Sequence, residues 1–101
     1  MILEAVLLST KPGQSVEFEA SFRKAQEIIA AARGYISHEL QRCIEQPDSY
    51  LLLVRWESVE AHERGFRGSD EYQQWKALLH HFYDPFPTVF HYEPVDGVGE
   101  I

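Results

Sequence analysis

Apolar runs and polar breaks alternate along the chain and mark out its elements in order. The first run, "ILEAVLL" (2–8), is apolar at nearly every position and predicts a strand covered on both faces. "KPGQS" (11–15) breaks it, and Ser15 stands where an N-cap is expected, with Glu17 and Glu19 in a first turn whose dipole favours acids. Phe18, Phe22, Ala25, Ile29 and Ala32 recur at spacings of four and three, which predicts a helix over 15–33, with Arg33 in its last turn and Gly34 as its stop. "YISHELQRCIE" (35–45) alternates, setting Ile36, His38, Leu40 and Ile44 on one face. After the "QPDS" turn, "YLLLVRWE" (50–57) is again apolar on both faces. Ser58 opens a short helix carrying Val59, His62 and Phe66 on one side. Ser69 opens a longer helix whose buried stripe is Tyr72, Trp75, Leu78, Leu79 and Phe82. "PTVFHYEP" (87–94) predicts a last strand between two prolines.

The order β-α-β-β-(α)-α-β is the α+β, ferredoxin-like split βαβ arrangement with an antiparallel sheet. In that topology strands one and three are central and strands two and four are edges, which agrees with two strands apolar on both faces and an alternating second one. Helices on one side of such a sheet leave the other side open. Central strands that are apolar on both faces therefore call for cover there, and a second copy of the chain, joined through the sheets, is the expected partner.

Composition narrows the function classes. The 101 residues make one domain, 45% apolar and 13% aromatic, and sixteen acids against nine bases leave a net charge of -7. Nucleic-acid binding rests on clustered Lys and Arg and is not expected, nor is attachment to an anionic membrane. The first apolar run lacks a basic leader and is too short to span a bilayer. A lone cysteine, Cys43, and no CxxC pair fit a reducing cytoplasm, with no internal disulfide and no thiolate metal cage.

"LHHFYDPFP" (79–87) is the most visible polar cluster. Continued helical geometry sends His80 and His81 to opposite flanks of the buried stripe, so the two do not share a metal and are expected to be solvated near a helix end. Asp84, before a proline, reads as turn chemistry. No metal site is expected. Three other histidines face inward: His38 with Leu40, His62 with Phe66, and His91 with Val89. Each is either a base or hydrogen-bond donor near neutral pH or a core histidine satisfied by a carbonyl. The rings of Trp56, Phe66, Tyr72, Trp75, Phe82, Phe90 and Tyr92 form an aromatic set that would wall a slot for a planar ligand on the helix side of the sheet.

The segment "YLLLVRWESVEAHERGFRGSDEYQQW" (50–75), with "FHYEPV" (90–95), resembles the antibiotic biosynthesis monooxygenase family. The resemblance implies a dimeric α+β barrel with a pocket in each subunit between helices and sheet. It also implies one of three roles: cofactor-independent oxygenation of quinols or aromatic polyketides, haem degradation, or no oxygenase activity at all. The asparagine that oxygenases and haem degraders of this family carry on the first strand falls on Val6 here, and their tryptophan after the short helix falls on Phe66. The haem-ligating histidine falls near Lys76, with His80 one turn further on, which disfavours haem degradation. His62 is left as the polar group expected to act on a ligand, with His38 and His91 as further binding residues. The expected function is a homodimer that binds a small aromatic or quinone-like molecule and oxygenates it without a cofactor. The alternative is a non-catalytic ligand-binding or stress-associated dimer.

Overall fold

β1 (Ile2–Ser9) and β3 (Ser49–Trp56) run antiparallel down the middle of the sheet, Ile2 opposite Trp56 and Ser9 opposite Ser49. β2 (Tyr35–Arg42) pairs with β3 and β4 (Val89–Tyr92) with β1, giving the order β2-β3-β1-β4, antiparallel throughout. The structure is a computed structural model and describes residues 1–99. α1 (Ser15–Ala30) and α2 (Asp70–Leu79) cover one face of the sheet, which makes the fold α+β and ferredoxin-like. Among the described residues no helix is long and apolar enough to cross a membrane.

The core lies between α1 and the sheet. Phe18, Phe22, Ala25 and Ile29 pack against Val6, Leu8, Tyr50, Leu52, Val54 and Trp56. The spacing of the α1 residues puts all four on one stripe, and strand alternation points the sheet residues the same way. Among the described residues nothing covers the other face of β1 and β3. Leu7 is 66% exposed there, Leu51 37% and, on β4, Phe90 59%. Singly exposed leucines are ordinary, but a row of them across adjacent strands is an uncovered apolar face.

Several boundaries differ from the sequence reading for local reasons. Ser15 is the first residue of α1 and not its cap; Gln14 holds the N-cap position without a side-chain bond. The Ser15 hydroxyl instead donates to Asp48 Oδ1 at 2.9 Å and so ties the helix start to the β2–β3 turn. α1 ends at Ala30, and the N–H groups of Ala31 and Ala32 reach back to the carbonyls of Ile28 and Ile29 in a tightened last turn. β2 stops at Arg42 and carries a bulge between Tyr35 and Ser37. The extra residue turns Ile36 outward, so Tyr35 and not Ile36 shares the inner face with His38 and Leu40. Ile44 lies beyond the strand and is exposed.

Gly34 joins α1 to β2 with φ +84°, and a Cβ there would stand 2.6 Å from the Cβ of Ala61. Both the left-handed backbone and the close approach require glycine. Gly34→Ala is expected to cost about 2–4 kcal/mol, read as a lower urea midpoint at unchanged slope.

Candidate active site

The inner face of β1 carries Ile2, Glu4, Val6 and Leu8, so strand alternation puts a carboxylate in the middle of an apolar stripe. Glu4 is 6% exposed. Trp56, opposite Ile2 on β3, donates its Nε1–H to Glu4 Oε1 at 2.9 Å. Across the sheet, residues Ala61–Phe66 form a turn of π-helix, closed by the Arg67 N–H on the His62 carbonyl at 3.0 Å. This wider turn points both His62 and Phe66 at the sheet, where both are buried. The His62 ring stacks on Trp56, with centroids 5.2 Å apart and planes 22° from parallel. Its Nε2 lies 3.4 Å from Glu4 Oε1, and its Nδ1 lies 2.8 Å from Nε2 of His91, which faces Glu4 across the β1–β4 ladder.

Electrostatics fix the state of this group. Burial pushes the Glu4 carboxyl above its ordinary range, and the Trp56 hydrogen bond and the Arg67 charge pull it only part of the way back. Burial also drives the His62 imidazolium down, to about 3, with the Arg67 and His91 charges acting in the same direction. His62 is therefore neutral at physiological pH, and its 3.4 Å approach to Glu4 is a polar contact rather than an ion pair. The hydrogen bond of the His62 ring is with His91, Nδ1 to Nε2, one ring donating and the other accepting according to their tautomers. His91 thus braces His62 from behind, and Trp56 donates to the Glu4 carboxyl oxygen that His62 faces.

Glu4 and His62 open onto a cavity of about 460 Å³ between the sheet and the helices. Val6, Leu8 and Leu52 form its floor, and Phe66, Tyr72 and Trp75 its helical wall. The segment after α2 supplies the third side through His80, Tyr83, Phe86 and Pro87. α2 gives way after Leu79 to a 3₁₀ turn over His80–Phe82. Helical geometry carried past Leu79 therefore misplaces His80, which lines the cavity instead of lying in solvent. Its ring meets Tyr72, Tyr83 and Phe86, and its Nδ1 is buried without a hydrogen-bond partner among the described residues. Burial first, then the charges of Lys76 and Arg67, hold His80 neutral. Tyr83 is likewise held protonated, chiefly by burial.

The residues singled out from sequence divide into three groups. His62, Phe66, Tyr72 and Trp75 line the cavity. Trp56, Phe82 and His91 do not: Trp56 and Phe82 are core side chains, and His91 stands behind His62. His38 lies elsewhere, in a polar cleft of about 340 Å³ between α1 and β2. There it bonds Gln26 Oε1 through Nε2 at 3.0 Å and the Tyr35 hydroxyl through Nδ1. Glu4, Arg67, His80, Tyr83 and Phe86 were not among the expected site residues. The signal for Glu4 was present, since it is the one charged side chain of the first strand and shares the parity of Val6 and Leu8. Val6, where the resemblance puts an asparagine in oxygenases, is also on the cavity wall, two positions along the same face from Glu4. Among the described residues no group of three or more His, Cys, Asp or Glu side chains is arranged to hold a metal ion.

Comparison with known proteins places this architecture. The family model for antibiotic biosynthesis monooxygenase matches residues 1–78. YczJ of Bacillus subtilis (strain 168), an uncharacterized protein, is 56% identical over 95 residues, covering 94% of this chain and 100% of that one. A Bordetella bronchiseptica protein carrying the same family designation superposes with a TM-score of 0.89 at 35% identity, over 93% of this chain and 96% of its own. SnoaB from Streptomyces nogalater, a cofactor-independent oxygenase, shares the fold at 19% identity, with a TM-score of 0.81 over 98% of both chains. The chain belongs to the antibiotic biosynthesis monooxygenase family.

Proposed function

We propose that the chain acts as a homodimer that binds a small aromatic or quinone-like molecule in the Glu4–His62 cavity and oxygenates it with O₂ and no cofactor. The observation that carries this reading is a buried, hydrogen-bonded carboxylate at one end of a cavity walled by aromatic rings. A carboxyl raised by burial is a stronger base than one in water and suits the removal of a phenolic proton. The base is thus Glu4. His62, neutral, stands against it at 3.4 Å, and His91 holds the His62 ring in place.

The chemistry balances without a further reactant. Glu4 takes the proton of a ring hydroxyl, and the electron-rich phenolate passes one electron to O₂. The superoxide and phenoxyl radical combine at the ring carbon para to the hydroxyl, and the resulting peroxide anion takes back the proton held by Glu4 to become a hydroperoxide. That carbon loses its hydrogen as the O–O bond breaks, which leaves a carbonyl. One atom of O₂ stays in the quinone product and the other leaves as water.

Oxygen uptake with a panel of hydroxynaphthalenes and anthrones tests the reading. We expect turnover on at least one, falling about 10²-fold in His62→Ala. Binding without uptake on every member would favour a non-catalytic ligand-binding dimer. The open sheet face supports the dimer. Leu7→Glu is expected to convert it to a monomer in light scattering at micromolar concentration, and a wild-type monomer would overturn that part of the proposal.

A further inference from the structure

Arg67 follows directly on the π-helical turn and lines the same cavity as Glu4. Among the described residues its exposed guanidinium has no carboxylate within ion-pair distance, as is also true of Arg33 and Arg64, but neither of those lines this cavity. Its charge acts on Glu4, His62 and His80, which stand on three sides of the cavity. The cavity therefore has a buried carboxyl at the sheet and, at its exposed helix end, a cation outside ion-pair distance of it. The remaining polar groups lining this space are the phenols of Tyr72 and Tyr83, the hydroxyl of Thr88 and the neutral imidazole of His80, none of which carries a charge to pair with a cation. In a chain with a net charge of -7, an arginine left unpaired beside a ligand cavity is available to the ligand.

We propose that the ligand is an aromatic hydroxy acid whose hydroxyl faces Glu4 and whose carboxylate pairs with Arg67. This rests on the reading of the cavity as an aromatic-ligand site and names the class of molecule it takes. Guanidinium and carboxylate match in a two-pronged hydrogen-bonded pair, which selects an acid over its neutral ester. A cavity of about 460 Å³ accommodates two or three fused rings.

The probes are 6-hydroxy-2-naphthoate, its methyl ester and 2-naphthol, titrated calorimetrically into wild type and Arg67→Gln. The acid has its hydroxyl and carboxylate at opposite ends of a rigid bicycle. It is expected to bind wild type at least about tenfold more tightly than the ester. Arg67→Gln should lose that advantage while its affinity for the ester and for 2-naphthol stays unchanged, and Arg67→Lys should keep part of it. Equal affinity of acid and ester for wild type, or equal weakening of all three by Arg67→Gln, would overturn the carboxylate assignment and leave the aromatic site standing. No binding of any probe at millimolar concentration would overturn both.

Discussion

Glu4→Gln is expected to abolish oxygenation while making the protein more stable at pH 8. The amide keeps the Oε1 acceptor that Trp56 Nε1–H uses at 2.9 Å and fits the 3.4 Å approach of His62 Nε2, so the geometry has no reason to change. It does not take a proton, and turnover should fall about 10²- to 10⁴-fold, with KM little affected. The stability gain follows from linkage. The Glu4 carboxyl is raised on folding, so its contribution is fully present below its ordinary value of 4.5 and is lost as pH rises through the folded one. At pH 8 the native protein carries a buried carboxylate at a cost that glutamine avoids. The variant should be more stable than wild type there, and the gain should vanish below pH 4.5. Urea titrations of both proteins at pH 4, 6 and 8 measure this. A variant less stable than wild type at pH 8 would show that the charge is compensated and that Glu4 is a structural anchor.

Trp56→Ala is expected to give the largest loss of stability. Trp56 is fully buried, stacks on His62, meets Tyr35 edge-on and bonds Glu4. Its removal leaves a cavity in the core and unseats both polar groups of the site, at a cost of about 3–5 kcal/mol. Trp56→Phe keeps most of the volume and deletes only the N–H donor, so it should cost about 1–3 kcal/mol. Because Glu4 then loses the hydrogen bond that lowers its pKa, the Phe variant should shift the acid limb of the pH–rate profile upward. A profile that stays in place while stability falls would separate Trp56 from the chemistry.

The fold was legible because its signals are periodic. The α1 stripe, the two fully apolar strands and the alternating second strand leave few topologies, and the edge and centre strands follow from them. The site was less legible, for three identifiable reasons. Strand parity tells which face a residue takes but not how far across the sheet it lies. His38 and His91 share the inner face, yet β2 and β4 are opposite edges in the order β2-β3-β1-β4, so only one of them reaches His62. Helical angles hold only while the helix lasts. His80 enters the cavity because α2 tightens into a 3₁₀ turn after Leu79. Glu4 was hidden in plain view, since an apolar run draws attention to its pattern and not to the one charged residue inside it. The stretch "LHHFYDPFP" is accordingly more than a helix end. Leu79 and Phe82 pack inward, while His80, Tyr83, Phe86 and Pro87 form one wall of the cavity.

The central claim is that this cavity, with Glu4 as base, puts an atom of O₂ into an aromatic ligand. Its most direct test is mass spectrometry of the product formed under ¹⁸O₂ by protein stripped of metal and flavin. The account predicts one ¹⁸O atom in the quinone and at least a 10²-fold slower appearance of label in Glu4→Gln. Unlabelled quinone formed together with peroxide, or labelling at the same rate in Glu4→Gln, would contradict it.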